Sequence, residues 1–266
     1  MAHLLATISV QQVGFLLRVH RRSEWLPVIF SQMREVARGR RAHLVVMADR
    51  PSPSVVAALA QMERKMPDSF TYTLLECPEP IKSAQGCRWT ETMQYMYQKL
   101  RKDGASGAGM LWDDDIVFSD VAIQELRAHL SFFEFDRVEA EWLNISTPDA
   151  TQYDRGFTCH RGTHLFRIYA DDDWSDILTR TTGGGGTQSP IFVARSHSKS
   201  DMKGRVLHMG YCTADEREHA WNAAKACGQA DAYFIQLHRK PKHTLCRGAT
   251  ETSRTLARHL TSAAAQ

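Results

Sequence analysis

The sequence has no apolar run long enough to cross a membrane. A spanning helix needs about 20 consecutive, mostly apolar residues, and charged residues interrupt every stretch of the 266-residue chain before that length. Its opening, MAHLLATISVQQVGFLLRVHRR, has no basic segment ahead of its apolar residues, so it lacks the form of a signal peptide. We therefore expect no membrane span and a cytoplasmic protein.

Closely spaced cysteine pairs are also missing. The six cysteines are scattered along the chain, and no two of them are separated by only two residues. This spacing argues against a structural zinc site, which usually draws its ligands from such pairs. We expect free thiols in a reducing cytosol.

Neither positive nor negative residues are in large excess overall, but they are unevenly distributed along the chain. The net charge is +3; residues 221–266 hold seven Lys/Arg and two acids, 7 − 2 = +5, which leaves 3 − 5 = −2 for residues 1–220. The densest basic segment is QLHRKPKHTLCR, residues 236–247. It predicts either a surface for an anionic partner such as DNA or a solvated face. We treat residues 221–266 as a basic extension packed on the main domain.

The first 130 residues alternate between strand-like and helix-like patterns. Apolar runs such as AHLVVMAD (42–49) and FTYTLLE (70–76) predict strands, and segments with apolar residues at helical spacing lie between them. In one of these segments, SEWLPVIFSQMREVA, Ser23 is the predicted N-cap. The alternation predicts one α/β domain, with a mostly parallel, doubly wound sheet and helices on both faces.

Three adjacent aspartates follow the fourth predicted strand, in the sequence GMLWDDDIVFSD. In open α/β sheets, ligands bind beyond the carboxyl ends of the strands, and this is where Asp113, Asp114 and Asp115 lie. Side chains two apart on an extended segment share a face, so we expect Asp113 and Asp115 to point together and Asp114 to point away. Two carboxylates on one face form part of a site for Mg²⁺ or Mn²⁺, which substrate phosphates would complete.

This arrangement resembles the nucleotide-sugar glycosyltransferases of the GT-A type, particularly the broad family 2 group. The resemblance extends over roughly residues 12–220 and implies a hexosyl- or pentosyltransferase with a nucleotide diphosphate sugar as donor. The family's DxD motif corresponds to Asp113 and Asp115, which the resemblance makes metal ligands together with His208 in VLHMGY. The Asp that ends the family's second strand, near the nucleotide base, corresponds to Asp49 in VVMAD.

The resemblance is incomplete at the catalytic base. The glycine-rich acceptor loop corresponds to GGGGTQSPIFVAR, where Thr187 and Gln188 replace the family's acidic pair. Gln188 cannot accept a proton, so Asp172, in the cluster DDD at 171–173, is the alternative candidate base. We expect the donor to be contacted by five residues: Asp49, Asp113, Asp114, Arg18 and Arg21. The basic stretch 18–22 has a second interpretation as a solvated turn.

Two other functions remain open at this stage. DDDIV also matches the DxDx[TV] motif of haloacid-dehalogenase-type phosphatases, with Asp113 as nucleophile. Against it, that family needs a lysine that residues 148–173 do not contain, and its motif follows the first strand of the domain. The second is a non-enzymatic nucleic-acid-binding protein that uses residues 236–247. For a transferase, the same basic segment favours a DNA acceptor, as in the base-modifying glycosyltransferases of some bacteriophages.

Overall fold

The computed structural model describes residues 10–20, 22–78, 82–83, 86–87, 89–105, 107–147, 152–154, 161–168, 199–210, 212–226 and 243–245. In chain order, the elements within these residues are β1 (Gln12–Val19), α1 (Leu26–Val36), β2 (Arg41–Ala48), α2 (Pro53–Arg64), β3 (Phe70–Glu76), β4 (Lys82–Ser83), β5 (Gly86–Cys87), α3 (Trp89–Lys102), β6 (Gly107–Asp113), β7 (Ile116–Phe118), α4 (Asp120–Ser131), β8 (Arg137–Asn144), β9 (Gln152–Asp154), β10 (Arg161–Ile168), β11 (Lys199–His208), α5 (Ala214–Ala226) and β12 (His243–Leu245).

Eight of the strands form one mixed sheet in the order β3-β2-β1-β6-β10-β8-β11-β7. The strands β3, β2, β1 and β6 are parallel neighbours, and β8 and β11 run in the same direction as they do. Only β10 and β7 among these eight run the opposite way. The predicted α/β class and mostly parallel sheet are therefore confirmed.

Helices cover both faces of the sheet, as the sequence predicts. Side chains alternate along β1, where Phe15 and Leu17 belong to one buried cluster and Leu16 to another. The first cluster includes apolar residues of α1, α2 and α4, and the second includes those of α3. Because both faces are buried, β2 carries an almost continuous apolar run rather than an alternating one.

Serine side chains cap two of the helices, whereas the predicted serine cap of α1 does not form. Ser119 is the N-cap of α4, and its hydroxyl oxygen accepts a hydrogen bond from the amide of Ala122 at 3.3 Å. Ser52 caps α2 in the same way. The predicted cap at Ser23 is wrong, because α1 begins at Leu26 and its N-cap position is Trp25, with no side-chain capping bond. Pro27 in the first turn, which has no amide hydrogen to satisfy, favours this later start.

The connection from β6 to β7 requires the sheet to curl. In the sheet order, four strand spacings separate β6 from β7, which is about 19 Å in a flat sheet. Only Asp114 and Asp115 connect the two strands, and three residue steps reach at most about 11 Å. The sheet must therefore fold back on itself, so that the carboxyl end of β6 lies beside the carboxyl end of β11.

Other predictions have mixed outcomes. The expectation of free thiols is wrong for Cys77, which is disulfide-bonded, whereas Cys212 is a free and buried thiol. No helix in the described part of the chain is both long and apolar enough to span a bilayer. The basic extension lies outside the described residues except for 221–226 and 243–245, so its packing on the main domain stays a prediction.

Candidate active site

Polar side chains from five strand ends meet at the carboxyl edge of the curled sheet. Since β1, β2, β6, β8 and β11 run in one direction, the residues that end or follow them share this edge. It also contains the switch point between β1 and β6, where the chain order of the parallel strands reverses and where open α/β sheets bind ligands. The residues gathered here are Arg18, His20, Arg22, Asp49, Asp113, Asp114, Asp115, Asn144 and His208.

Asp113 ends β6 and is paired with Arg18 on the neighbouring strand. The two residues are partners in the parallel register, and the Nε of Arg18 donates a hydrogen bond to Oδ1 of Asp113 at 3.1 Å. Burial raises the pKa of Asp113, the attraction of Arg18 opposes this, and repulsion from Asp115 and Asp114 adds to it. Arg18 therefore offsets only part of the rise, and the pKa of Asp113 stays above its usual range.

Asp114 holds the loop that follows β1. Its Oδ2 accepts hydrogen bonds from the backbone amides of His20 at 2.9 Å and Arg22 at 3.1 Å. The alternation rule on which its orientation was predicted does not apply, because β6 ends at Asp113 and the next two residues form a turn. Asp114 is thus engaged with the β1–α1 loop, on the same edge of the sheet as its two neighbours.

Asp115 and His208 face each other across the fold-back of the sheet. Oδ2 of Asp115 lies 3.4 Å from Nε2 of His208, and the backbone carbonyl of Asp115 accepts from the amide of Met209 at 2.8 Å. Nδ1 of His208 lies 2.7 Å from Oδ1 of Asn144, its register partner on β8. Since a carbonyl oxygen only accepts, Nδ1 carries the proton in this orientation. Nε2 is therefore the ring nitrogen that faces Asp115 and that could coordinate a cation.

Arg22 is the third group at this point. Its Nη1 lies 2.5 Å from Oδ2 of Asp115, its Nε donates to Oε1 of Glu216 at 3.3 Å, and its Nη2 donates to the carbonyl of Gly210 at 3.3 Å. Burial alone would raise the pKa of Asp115, but His208 and Arg22 outweigh it, and the pKa lies well below its usual range. Asp115 is therefore a carboxylate whose charge is fully developed at neutral pH.

The donor atoms of Asp115 and His208 fit a divalent cation. Two ligands each about 2.1 Å from one ion lie about 3.0 to 3.4 Å apart, depending on the coordination geometry. Gly210 leaves space beside them, because a Cβ at this position would lie 2.7 Å from Oδ2 of Asp115 and 2.8 Å from Nε2 of His208. Within the described residues, no group of three His, Cys, Asp or Glu side chains is close enough to hold a metal, so substrate oxygens and water would have to complete the set.

A small cavity borders the site on the side of Asp113. Besides Asp113 it is lined by Trp112, Trp142 and His164, and Nε1 of Trp142 donates a hydrogen bond to Nε2 of His164 at 2.7 Å. Trp112 also contributes to the core, since its ring packs edge-on against Phe118. Asp113 thus connects the ion-pair cluster with an aromatic-lined space at the sheet edge.

Asp49 lies at the end of β2, on the other side of β1. Its backbone carbonyl accepts from Nδ1 of His20 at 2.8 Å, and its Oδ1 lies 3.7 Å from Nε of Arg50. Arg50 has a φ of 51°, a left-handed conformation that non-glycine residues adopt at a cost. The chain therefore turns sharply directly after Asp49, which keeps this carboxylate at the edge of the sheet.

Several predicted site residues fall outside the described part of the chain. They are Arg21, the candidate bases Asp172 and Gln188 and the glycine-rich loop before Ser189. The alternative of a solvated turn at 18–22 is wrong for Arg18 and Arg22, whose side chains are 25% and 13% exposed. Their positive charges are used within the site.

Sequence reasoning did not select His20, Arg22, Asn144 or Gly210. The run of basic residues after β1 could have indicated Arg22. A charged loop at the carboxyl edge of a sheet lies beside the residues that end the neighbouring strands, which here are aspartates. Asn144 had no comparable signal, since its partner His208 is 64 residues away along the chain.

The chain matches no protein-family model and no curated protein. Among solved structures it is similar to the mannosyltransferase PcManGT from Pyrobaculum calidifontis, in complex with GDP-Man and Mn²⁺, with 13% sequence identity. The similarity covers 94% of this chain and 75% of that chain, at a TM-score of 0.41. A likeness this distant shows neither the fold nor the function of the chain.

Proposed function

We propose that the protein is a metal-dependent glycosyltransferase that uses a nucleotide diphosphate sugar as its donor. The observation that carries the proposal is the pair formed by Asp115 and His208, 3.4 Å apart at the carboxyl edge of the sheet and beside the switch point between β1 and β6. This edge is where α/β sheets place nucleotides. A Mg²⁺ or Mn²⁺ ion held by one carboxylate and one imidazole keeps open positions for the oxygens of a diphosphate.

The residues of the site have distinct roles in this proposal. Asp115 and His208 hold the cation, Asn144 fixes the tautomer and orientation of the imidazole, and Asp113 lies beside them as the first acid of the DxD motif. Asp49 and Asp114 remain proposed donor-binding residues, the first towards the base and the second through the loop whose backbone it holds. When bound, the cation would neutralise the negative charge that develops on the leaving diphosphate.

Positive side chains would receive the same leaving group. Arg18 and Arg22 both reach the aspartates from the β1 side, and Arg21 is proposed to contact the donor from the same loop. A guanidinium forms paired hydrogen bonds with phosphate oxygens. Asp172 stays the proposed general base of an inverting mechanism, because the amide of Gln188, the other catalytic candidate, cannot accept a proton.

The proposal is tested by ligand binding. Nucleoside diphosphates and nucleotide sugars are screened by thermal shift with and without Mn²⁺, since a specific ligand raises the melting temperature. We expect at least one to stabilise the protein only when Mn²⁺ is present, and calorimetry should show that Asp115→Asn abolishes this binding. Asp201→Asn, at an exposed residue of β11, is the matched control and should bind as the wild type does.

Two results would contradict the proposal. One is binding or hydrolysis of the nucleotide that needs no metal and that Asp115→Asn leaves unchanged. The other is hydrolysis of a phosphomonoester through a phosphoaspartate at Asp113, which would indicate the phosphatase alternative. That alternative requires the carboxylate of Asp113 for attack, whereas here it accepts a hydrogen bond from Arg18.

The proposed acceptor is anionic, with DNA as the specific candidate. Its support is the charge of +5 on residues 221–266 and the density of basic residues at 236–247. Reversing the charges at Arg239, Lys240 and Lys242 should weaken DNA binding and reduce its dependence on salt, because each lost phosphate contact lowers the slope of log K against log salt concentration. Unchanged DNA binding would contradict the proposal of DNA as the acceptor and would not bear on the proposed donor site.

A further inference from the structure

The guanidinium of Arg22 contacts the carboxylate oxygen of Asp115 that the proposed cation would need. Nη1 lies 2.5 Å from Oδ2 of Asp115, and the same oxygen lies 3.4 Å from Nε2 of His208. A metal bound to both residues would lie about 2.1 Å from that oxygen. Two cations this close to one oxygen repel each other strongly in a buried setting. The guanidinium and a divalent ion therefore exclude each other at Asp115.

The position of Arg22 is built into the fold from three sides. Its backbone amide donates to Asp114, which anchors the residue at the turn after β6. Its guanidinium reaches Glu216 and the carbonyl of Gly210, and its side chain is only 13% exposed. An arginine on a solvated loop would have none of these restraints. The surrounding contacts therefore hold Arg22 against Asp115 when no ligand is bound.

Glu216 is itself held in place by the start of α5. Its Oε2 accepts from the amide and the hydroxyl of Thr213 at 3.0 and 3.1 Å, while the amide of Glu216 donates to the Thr213 hydroxyl at 3.2 Å. This is the reciprocal arrangement of a capping box. Its other oxygen, Oε1, faces Arg22. The helix start thus provides a second carboxylate to which the guanidinium stays attached if it leaves Asp115.

We propose that Arg22 is a resident cation that competes with a divalent ion for Asp115, so that the ion binds well only together with an anionic diphosphate. The inference rests on the proposed cation role of Asp115 and His208. A diphosphate supplies the ion with further oxygens and gives the displaced guanidinium a new anionic partner. Metal and nucleotide then bind with positive coupling, and each raises the affinity of the other by the same factor.

The experiment measures binding of Mn²⁺ alone, by calorimetry or by the loss of its free-ion paramagnetic resonance signal. The wild type should bind the bare ion weakly, and Arg22→Gln should bind it about tenfold more tightly or better, since tenfold needs only about 1.4 kcal/mol. Arg22→Lys retains the charge and should stay close to the wild type. Arg38→Gln, which removes an exposed arginine that pairs with Glu35, is the matched control and should change nothing.

A second titration measures the coupling. With a saturating nucleoside diphosphate from the thermal-shift screen, the wild type should bind Mn²⁺ at least tenfold more tightly than without it, and Arg22→Gln should show a smaller ratio. Circular dichroism checks that the variant is folded. If Arg22→Gln does not fold, Arg22→Met, which keeps the aliphatic part of the side chain, is subjected to the same comparison.

The results separate this inference from the proposed function. Equal Mn²⁺ affinity in the wild type and in the folded Arg22 variants overturns the inference, even if nucleotides bind. Tighter Mn²⁺ binding by Arg22→Gln, combined with no binding of any nucleoside diphosphate, supports the role of Arg22 and refutes the transferase. Tight binding of the bare ion by the wild type also overturns the inference.

Discussion

The contact between Gln32 and Phe118 gives the sharpest test of how the site is supported. Gln32 lies on α1 and is fully buried; its Nε2 donates to the carbonyl of Phe118 at 2.6 Å and its Oε1 accepts from the amide of Phe118 at 2.9 Å. Phe118 belongs to β7, the edge strand of the large sheet. One side chain thus satisfies both backbone groups of an edge residue, as a neighbouring strand would.

Removing this side chain should be costly. Gln32→Ala leaves a buried amide and a buried carbonyl without partners, and each such group costs about 1–3 kcal/mol. We therefore expect the free energy of unfolding to fall by about 2–6 kcal/mol, against a total of about 5–15 kcal/mol for a typical domain. Because β7 directly follows the turn that holds Asp115, the loss should also weaken metal-dependent nucleotide binding.

Urea unfolding, followed by circular dichroism, measures the effect. Gln124→Ala, an exposed substitution on α4, is the matched control and should change stability by less than about 0.5 kcal/mol. Gln32→Glu keeps the acceptor for the Phe118 amide but can donate to the carbonyl only when protonated, so its buried carboxyl should have a raised pKa. Its stabilising contribution is then present below the unfolded-state pKa near 4.3 and is lost as the pH rises through the folded-state value.

Two outcomes would refute this reasoning. The first is a loss below about 1 kcal/mol for Gln32→Ala at an unchanged slope of stability against urea, which would mean that water replaces both bonds without cost. The second is a stability of Gln32→Glu that follows the wild type at every pH, because an ionised carboxylate cannot take the place of the amide donor.

Three further predictions concern other parts of the molecule. Burial alone would raise the pKa of Asp103, but hydrogen bonds from Lys99 and His43 lower it. Asp103 therefore stabilises the folded state fully above the unfolded-state pKa near 3.9, and this stabilisation is lost as the pH falls through the folded-state pKa. Asp103→Asn should therefore flatten the fall in melting temperature below about pH 5, and an identical pH profile would contradict this. Gly204→Ala should lower stability by about 3 kcal/mol in urea unfolding, because the new Cβ would lie 2.2 Å from a backbone nitrogen of α4; a wild-type midpoint would be inconsistent with that contact. Burial raises the pKa of the Cys212 thiol to about 12, so alkylation at pH 8, followed by mass spectrometry, should modify this residue only after unfolding; rapid labelling of the native protein would show that the thiol is accessible.

Much of the fold was predictable from local patterns. The predicted strands at 42–49 and 70–76 coincide with β2 and β3 to within a residue. For β2 the reason is that a strand covered on both faces carries an almost continuous apolar run. Ser119 was predictable as an N-cap because capping depends on residues within one helical turn. The predicted cap at Ser23 is wrong because a serine ahead of an apolar segment is a common pattern, and Pro27 favours a later start of the helix.

The candidate site was predictable only as separate parts. Asp49, the three aspartates and His208 each end or follow a strand. Local patterning indicates the strand ends, and ligands bind at the carboxyl edge of the sheet. The alternation from which the orientation of Asp114 was predicted does not extend to this residue, because the strand ends one residue earlier and side chains in a turn do not alternate. That boundary depends on the pairing of β7 with β11, which brings Ile116 opposite His208.

By itself, the sequence determined that a mostly parallel sheet would form and that acidic residues would stand at its carboxyl edge, because hydrophobic periodicity and strand order act over short stretches of chain. Only the tertiary structure decided that Asp115 would face His208 and be paired with Arg22. These contacts depend on the insertion of the antiparallel β10 and on the curl that lets two residues connect β6 to β7. Pairings between distant strands are selected by the packing of the whole sheet, and no local pattern in the sequence encodes them.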